Sequence, residues 1–95
     1  MATRKRQVVE ERLVQKGFTL VPSKDHRYYV FVFENRTVAR TKVSLGTKYK
    51  DLSDDLISAM ARQCHLPKSE FLDLVDCPMT QRGYEERLRE QGMLE

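Results

Sequence analysis

The sequence predicts a single α+β domain in which helices cover one face of a three-stranded antiparallel sheet. Apolar residues near the start of the chain and in its second half recur at the spacing of an amphipathic helix, whereas the segments between them are short runs rich in aromatic and β-branched residues, as strands are. With 95 residues and 40% hydrophobic content, the chain is long enough for one core and too short for two.

The first element is a helix from about Lys5 to Lys16. Val9 and Leu13 lie four residues apart, with two more valines beside them, which gives the helix one apolar stripe. Gly17 follows at the position where a left-handed residue commonly ends a helix.

Three strands follow this helix. Phe18–Val21 is a short apolar run closed by proline and serine, and His26–Phe33 and Thr37–Ser44 are rich in aromatic and β-branched residues. A three-residue turn at Glu34–Arg36 joins the last two strands into a β-hairpin.

The second half of the chain is predicted to be helical. Ser53 can cap a helix whose first turn carries two aspartates, where carboxylates meet the positive end of the helix dipole. Pro67 fits the first turn of another helix, and Thr80 can cap a last helix that ends near Gly92. Residues 77–95 are thus a helical extension of the same domain, and the sequence assigns them no role.

The net charge of +3 conceals two oppositely charged halves. Residues 1–50 have twelve Lys and Arg against four Asp and Glu, a balance of +8, and residues 51–95 have five against ten, a balance of −5. A basic half suggests a surface that attracts polyanions; solvated charge with no partner is the alternative. The basic N-terminal stretch lacks the apolar core of a signal peptide, and Tyr28–Phe33 is too short to cross a bilayer, so a cytoplasmic location is expected.

The long strand has two faces of different character. Because side chains alternate along a strand, the two sets are His26, Tyr28, Val30 and Val32 on one face and Arg27, Tyr29, Phe31 and Phe33 on the other. The second set has the bulkier aromatic rings, so we expect Tyr29 and Phe31 to be buried under the helices with Met60 and Phe71. His26 then lies on the opposite side, here called the open face.

The strand that follows brings cations to the open face. The predicted turn places Ser44 opposite His26, Lys42 opposite Tyr28 and Arg40 opposite Val30. An imidazole can take a proton from a ribose 2′-hydroxyl or return one to a leaving oxygen, and Arg40 and Lys42 can stabilise charge on the phosphoryl group. Tyr28 offers a ring on which a base can stack.

More distant cations extend this candidate RNA-binding surface. Lys24, Arg27 and Lys48 are peripheral candidates for phosphate contacts. The predicted chemistry needs neither a metal ion nor another cofactor. The Cys64-His65 pair and Cys77 lack the spacing of a zinc motif, so buried structural cysteine is preferred over a metal site.

The order of these motifs resembles the HicA-type toxins, small ribonucleases that cut messenger RNA and are silenced by a HicB-type antitoxin. The similarity covers about residues 7–75. It rests on "KGF" at Lys16–Phe18 after the first helix, on His26 with an aromatic residue three positions later at Tyr29, and on "LISAMARQCHLPKSEFLDLV" at Leu56–Val75, which is similar to the family's C-terminal helix, break and ending.

The resemblance implies an α-β-β-β-α fold like that of the double-stranded-RNA-binding domain, formed by residues 1–76, with His26 as the catalytic histidine. It also implies RNA as substrate and a HicB-like antitoxin as partner. The chain has Lys24-Asp25 where family members usually have Gly-Ser, and Ser44-Leu45 where they tend to have a second histidine. A noncatalytic RNA-binding module and a protein-interaction module of an oligomer or toxin–antitoxin-like complex therefore stay open as alternatives.

Overall fold

A helix, three antiparallel strands and three further helices make up most of the fold in the computed structural model, which describes residues 3–44, 51–76 and 78–94. In chain order the elements are β1 (Arg4–Lys5), α1 (Arg6–Gln15), β2 (Thr19–Pro22), β3 (His26–Phe33), β4 (Arg36–Ser44), β5 (Asp51–Leu52), α2 (Asp54–Gln63), α3 (Lys68–Val75) and α4 (Gln81–Glu90). The predicted α+β class is confirmed. The short strands β1 and β5, which pair as a small second sheet, were not predicted from the sequence.

The main sheet has the strand order β2-β3-β4 and is antiparallel throughout. The predicted pairing along the open face is confirmed, since the structure pairs His26 with Ser44, Tyr28 with Lys42 and Val30 with Arg40. Strands β2 and β4 are the two edges of this sheet.

The predicted three-residue turn is wrong. The hairpin instead turns through two residues, Glu34 and Asn35, which both have positive φ angles, of 52° and 65°. This backbone twist matches that of the flanking strands, although glutamate adopts such angles less readily than asparagine. A β-bulge between Phe31 and Val32 offsets the shorter turn, because it gives β4 one extra residue and restores the predicted pairing beyond it.

Local signals read from the sequence define the helix ends. Gly17 has a φ angle of 98° directly after α1, as predicted. The Ser53 hydroxyl oxygen accepts a hydrogen bond from the Leu56 backbone N–H at 3.3 Å, and the Thr80 hydroxyl oxygen accepts one from the Gly83 N–H at 3.0 Å.

The core lies between the sheet and the helices. Tyr29, Phe31, Met60 and Phe71 are all buried in one cluster, so the predicted assignment of the two strand faces is confirmed. Each is at most 3% exposed. None of the helices within the described ranges has the length and apolar character needed to cross a membrane.

Helix α4 packs into this same core. The buried Tyr84 ring lies 5.5 Å from Phe18 and 5.0 Å from Phe31, measured between ring centroids, and its hydroxyl donates to the Cys64 carbonyl at 2.9 Å. The helix therefore covers the inner side of the sheet, and Val32 on the open face stays 47% exposed.

Candidate nucleic-acid interface

Strands β3 and β4 hold the candidate site on the open face. Their pairing places Tyr28 directly opposite Lys42, with Arg40 two residues away on the same face. The Arg40 guanidinium carbon lies 5.1 Å from the Tyr28 ring centroid, within the range of a cation–π interaction. The His26 and Tyr28 ring centroids are 6.1 Å apart. One strip of the open face thus carries an imidazole, a phenol ring and two cations, and we call these four residues the cationic strip.

Solvent reaches the cationic strip. Arg40 and Lys42 are exposed, whereas His26 and Tyr28 are half-buried. A shallow pocket of about 240 Å³ is lined by Tyr28, Arg40 and Lys42, together with Thr41 and Gln63. A ligand can therefore contact the aromatic ring and both cations at once.

The backbone holds His26 at the first position of β3. The Ser23 backbone N–H donates to the His26 carbonyl at 2.9 Å, closing the turn that leads into the strand. Strand pairing with β4 fixes the other side of the residue. The backbone of His26 is therefore hydrogen-bonded on the side of the turn and paired with β4 on the other.

The peripheral cations are not gathered at one place. Lys24 is exposed in the turn just before His26. Arg27 lies on the helix-covered face, where its guanidinium donates to the Glu10 carboxylate at 3.0 Å. This hydrogen bond, reinforced by the carboxylate charge, raises the pKa of Arg27. Lys48 lies outside the described residues.

The partner of Arg27, Glu10, was not predicted from the sequence. Glu10 is a largely buried carboxylate of α1 that also accepts a hydrogen bond from the Tyr29 hydroxyl at 2.6 Å and lies 3.7 Å from Arg6. Burial raises the pKa of the Tyr29 hydroxyl, and the bond to Glu10 raises it further. The sequence carries no clear signal for this site, because the burial of Glu10 arises from how α1 packs on the sheet, although a buried carboxylate does need partners.

Cys64 is the cysteine that the structure describes. The Cys64 side chain is fully buried, as predicted, and this burial raises the pKa of its thiol to about 12, which disfavours the thiolate that binds metals. Cys77 lies outside the described residues. Within the described ranges, no group of three or more His, Cys, Asp or Glu side chains is placed to hold a metal ion.

Comparisons with protein-family models, curated proteins and solved structures found no match to this chain.

Proposed function

We propose that the protein binds RNA through the cationic strip and cleaves it as a metal-independent endoribonuclease of the HicA type. The observation that carries this proposal is the shared location of His26, Tyr28, Arg40 and Lys42 on the open face of the sheet. The resemblance to the HicA-type toxins also supports it, because that resemblance places His26 at the position of the family's catalytic histidine.

The proposed binding mode combines stacking with charge. An RNA base can stack on the exposed part of the Tyr28 ring, while Arg40 and Lys42 contact the flanking phosphates. Lys24, in the adjacent turn, adds positive charge where the RNA passes His26. Arg27 is a weaker candidate for a direct contact, because Glu10 engages its guanidinium on the other face.

The proposed reaction is an internal transesterification. His26 takes the proton of the ribose 2′-hydroxyl, and the 2′-oxygen attacks the adjacent phosphorus. The bond from phosphorus to the 5′-oxygen breaks, leaving a 2′,3′-cyclic phosphate, and the protonated imidazole returns its proton to the 5′-oxygen. Arg40 and Lys42 stabilise the negative charge that grows on the phosphoryl oxygens.

The same face suits a protein partner of the HicB type. Val21 and Val32 lie on the open face beside the cationic strip and are 44% and 47% exposed. An antitoxin that covered these valines would also block RNA from His26. Such a toxin acts in the cytoplasm, where its messenger RNA substrate and its antitoxin are found.

The test is RNA cleavage by a His26→Ala variant in the presence of EDTA. General acid–base catalysis typically contributes about 100- to 10,000-fold, so the variant should lose detectable cleavage while its fold and RNA affinity remain. The wild-type product should carry a 2′,3′-cyclic phosphate, and a substrate with 2′-deoxyribose at the cut site should resist cleavage.

The matched control is His65→Asn, which removes the other histidine of the chain. His65 has a φ angle of 64°, which asparagine tolerates, so the variant should fold and cut RNA normally. Cleavage by His26→Ala at the wild-type rate would remove the main support for the enzyme. RNA binding without cleavage by the wild-type protein would favour the noncatalytic module instead.

A further inference from the structure

An apolar groove lies beside the cationic strip, between the edge strand β4 and helix α2. It has a volume of about 170 Å³. Val43 of β4 lines it on one side, and Leu56, Ala59 and Met60 of α2 line it on the other. Leu56 is 40% exposed, so the groove opens to solvent.

Two polar residues connect the groove to the cationic strip. Lys42 and Gln63 line both the groove and the shallow pocket that contains Tyr28 and Arg40. A ligand that contacts Lys42 with an anionic group can therefore place an adjoining apolar group in the groove. This continuity favours a ligand with alternating phosphates and rings.

Gln63 is held in position at the rim of the groove. The hydroxyl of Thr41, a residue that is 1% exposed, donates to the Gln63 amide oxygen at 2.6 Å. Because the amide oxygen is engaged in this way, the NH₂ group is the part of Gln63 suited to donate to a ligand. Nucleobases carry carbonyl oxygens and ring nitrogens that accept such a bond.

We infer that the groove is a nucleobase subsite for a pyrimidine of the bound RNA. The inference rests on the proposed RNA-binding function and extends it to the class of substrate. An apolar cavity of about 150 Å³ admits one six-membered ring, which matches this groove better to a pyrimidine than to the two fused rings of a purine. A base in the groove cannot be paired, so the substrate is single-stranded at that position and carries a pyrimidine there.

Binding of labelled oligouridine and oligoadenosine of equal length tests this inference. The His26→Ala variant serves as the parent protein, so that cleavage does not interfere. We expect oligouridine to bind about tenfold more tightly than oligoadenosine, and more tightly than the same oligouridine in a duplex.

Ala59→Leu in this parent fills the groove without changing charge. It should weaken oligouridine binding about tenfold and leave the salt dependence unchanged, because the phosphate contacts remain. Ala59→Met fills the groove with a more flexible side chain and is the second variant if the leucine disturbs folding. Ser69→Leu, at an exposed position of α3 that does not line the groove, is the control and should bind as the parent does.

Equal affinity for the two oligonucleotides, or wild-type binding by folded groove-filling variants, would overturn the subsite. If Arg40→Gln with Lys42→Gln still flattens the salt dependence in that case, the proposed RNA-binding function stands and only the subsite fails. Failure of the parent to bind either oligonucleotide would overturn both. If the groove-filling variants bound RNA normally but no longer bound a protein partner, the groove would be the site for that protein, and the nucleobase subsite would be overturned.

Discussion

Tyr28 and Tyr29 are neighbours in β3, and the strand turns their rings to opposite faces of the sheet. Tyr29 is 2% exposed, and its hydroxyl donates to the buried Glu10 carboxylate at 2.6 Å. Tyr28 is half-buried on the open face, where the guanidinium of Arg40 lies over its ring. The same residue type therefore holds the fold together at one position and is accessible to a ligand at the next.

The contrast extends over both faces. On the covered face, Phe31 packs against Phe18 and Tyr84 in the core. On the open face, the chain instead presents exposed cations and half-exposed apolar side chains. Substitutions on the covered face should consequently change stability, whereas substitutions at adjacent positions on the open face should change binding. Each pair of neighbouring variants tests this difference between the two faces.

The largest effect on stability is expected at Phe31. Phe31→Ala removes a ring that is 1% exposed and leaves a cavity among aromatic neighbours, so the free energy of unfolding should fall by about 3 to 5 kcal/mol. Val32→Thr, at the adjacent position on the open face, should change it by less than about 0.5 kcal/mol. Chemical denaturation of both variants measures the difference, and a wild-type stability for Phe31→Ala would refute the assignment of the faces.

A smaller loss is expected at Tyr29. Tyr29→Phe keeps the ring and removes its hydrogen bond to the Glu10 carboxylate, which should cost about 1.5 to 3 kcal/mol, the range for bonds to charged groups. Tyr28→Phe makes the same chemical change on the open face and should cost less than about 0.5 kcal/mol. Equal losses in the two variants would mean that the hydroxyl of Tyr29 contributes no more than a surface hydroxyl does.

The difference between the two faces of the sheet was predicted from local sequence patterns. The alternation of side chains along a strand placed His26 and Tyr28 on one face and Tyr29 and Phe31 on the other. The predicted hairpin register placed Lys42 opposite Tyr28. Capping residues and a glycine located the helix ends, since those signals act within one turn of the chain.

The features that the sequence did not predict depend on distant contacts or on compensating changes. Strand β1 is only two residues long and forms by pairing with β5, about fifty residues away, so no local pattern marks it. The two-residue turn and the bulge each shift the register by one, and their effects cancel beyond Phe31. The burial of Tyr84 against Phe18 is likewise a tertiary contact that helix periodicity alone does not identify.

Alkaline pH should lower the stability of the protein through its buried thiol and phenol groups. Burial raises the pKa of Cys64 from about 9 to about 12, and the pKa values of Tyr29 and Tyr84 are raised as well. A raised folded-state pKa gives stability that is fully present below the unfolded-state value and is lost as pH rises towards the folded-state value. Stability should therefore fall above about pH 9, by on the order of 1 kcal/mol per pH unit at first.

Denaturant unfolding at a series of alkaline pH values measures this loss. Cys64→Ala removes one of the titrating groups, so its stability should fall less steeply with pH, whatever its stability at neutral pH. A variant slope equal to that of the wild type between about pH 9 and 11 would show that the thiol does not contribute to the loss.

The smallest effect on stability, and the largest on RNA binding, is expected from Arg40→Gln combined with Lys42→Gln. Both side chains are exposed, so the free energy of unfolding should change by less than about 0.5 kcal/mol. If both contact phosphates, RNA affinity should drop and the slope of log affinity against log salt should become shallower by about 0.7 per cation for a single strand. Replacing Arg82 and Arg89, two exposed cations of α4, with glutamine is the charge-matched control and should leave the slope unchanged. If only the control variant had a flatter slope of log affinity against log salt, the RNA would bind to the helices and not to the open face.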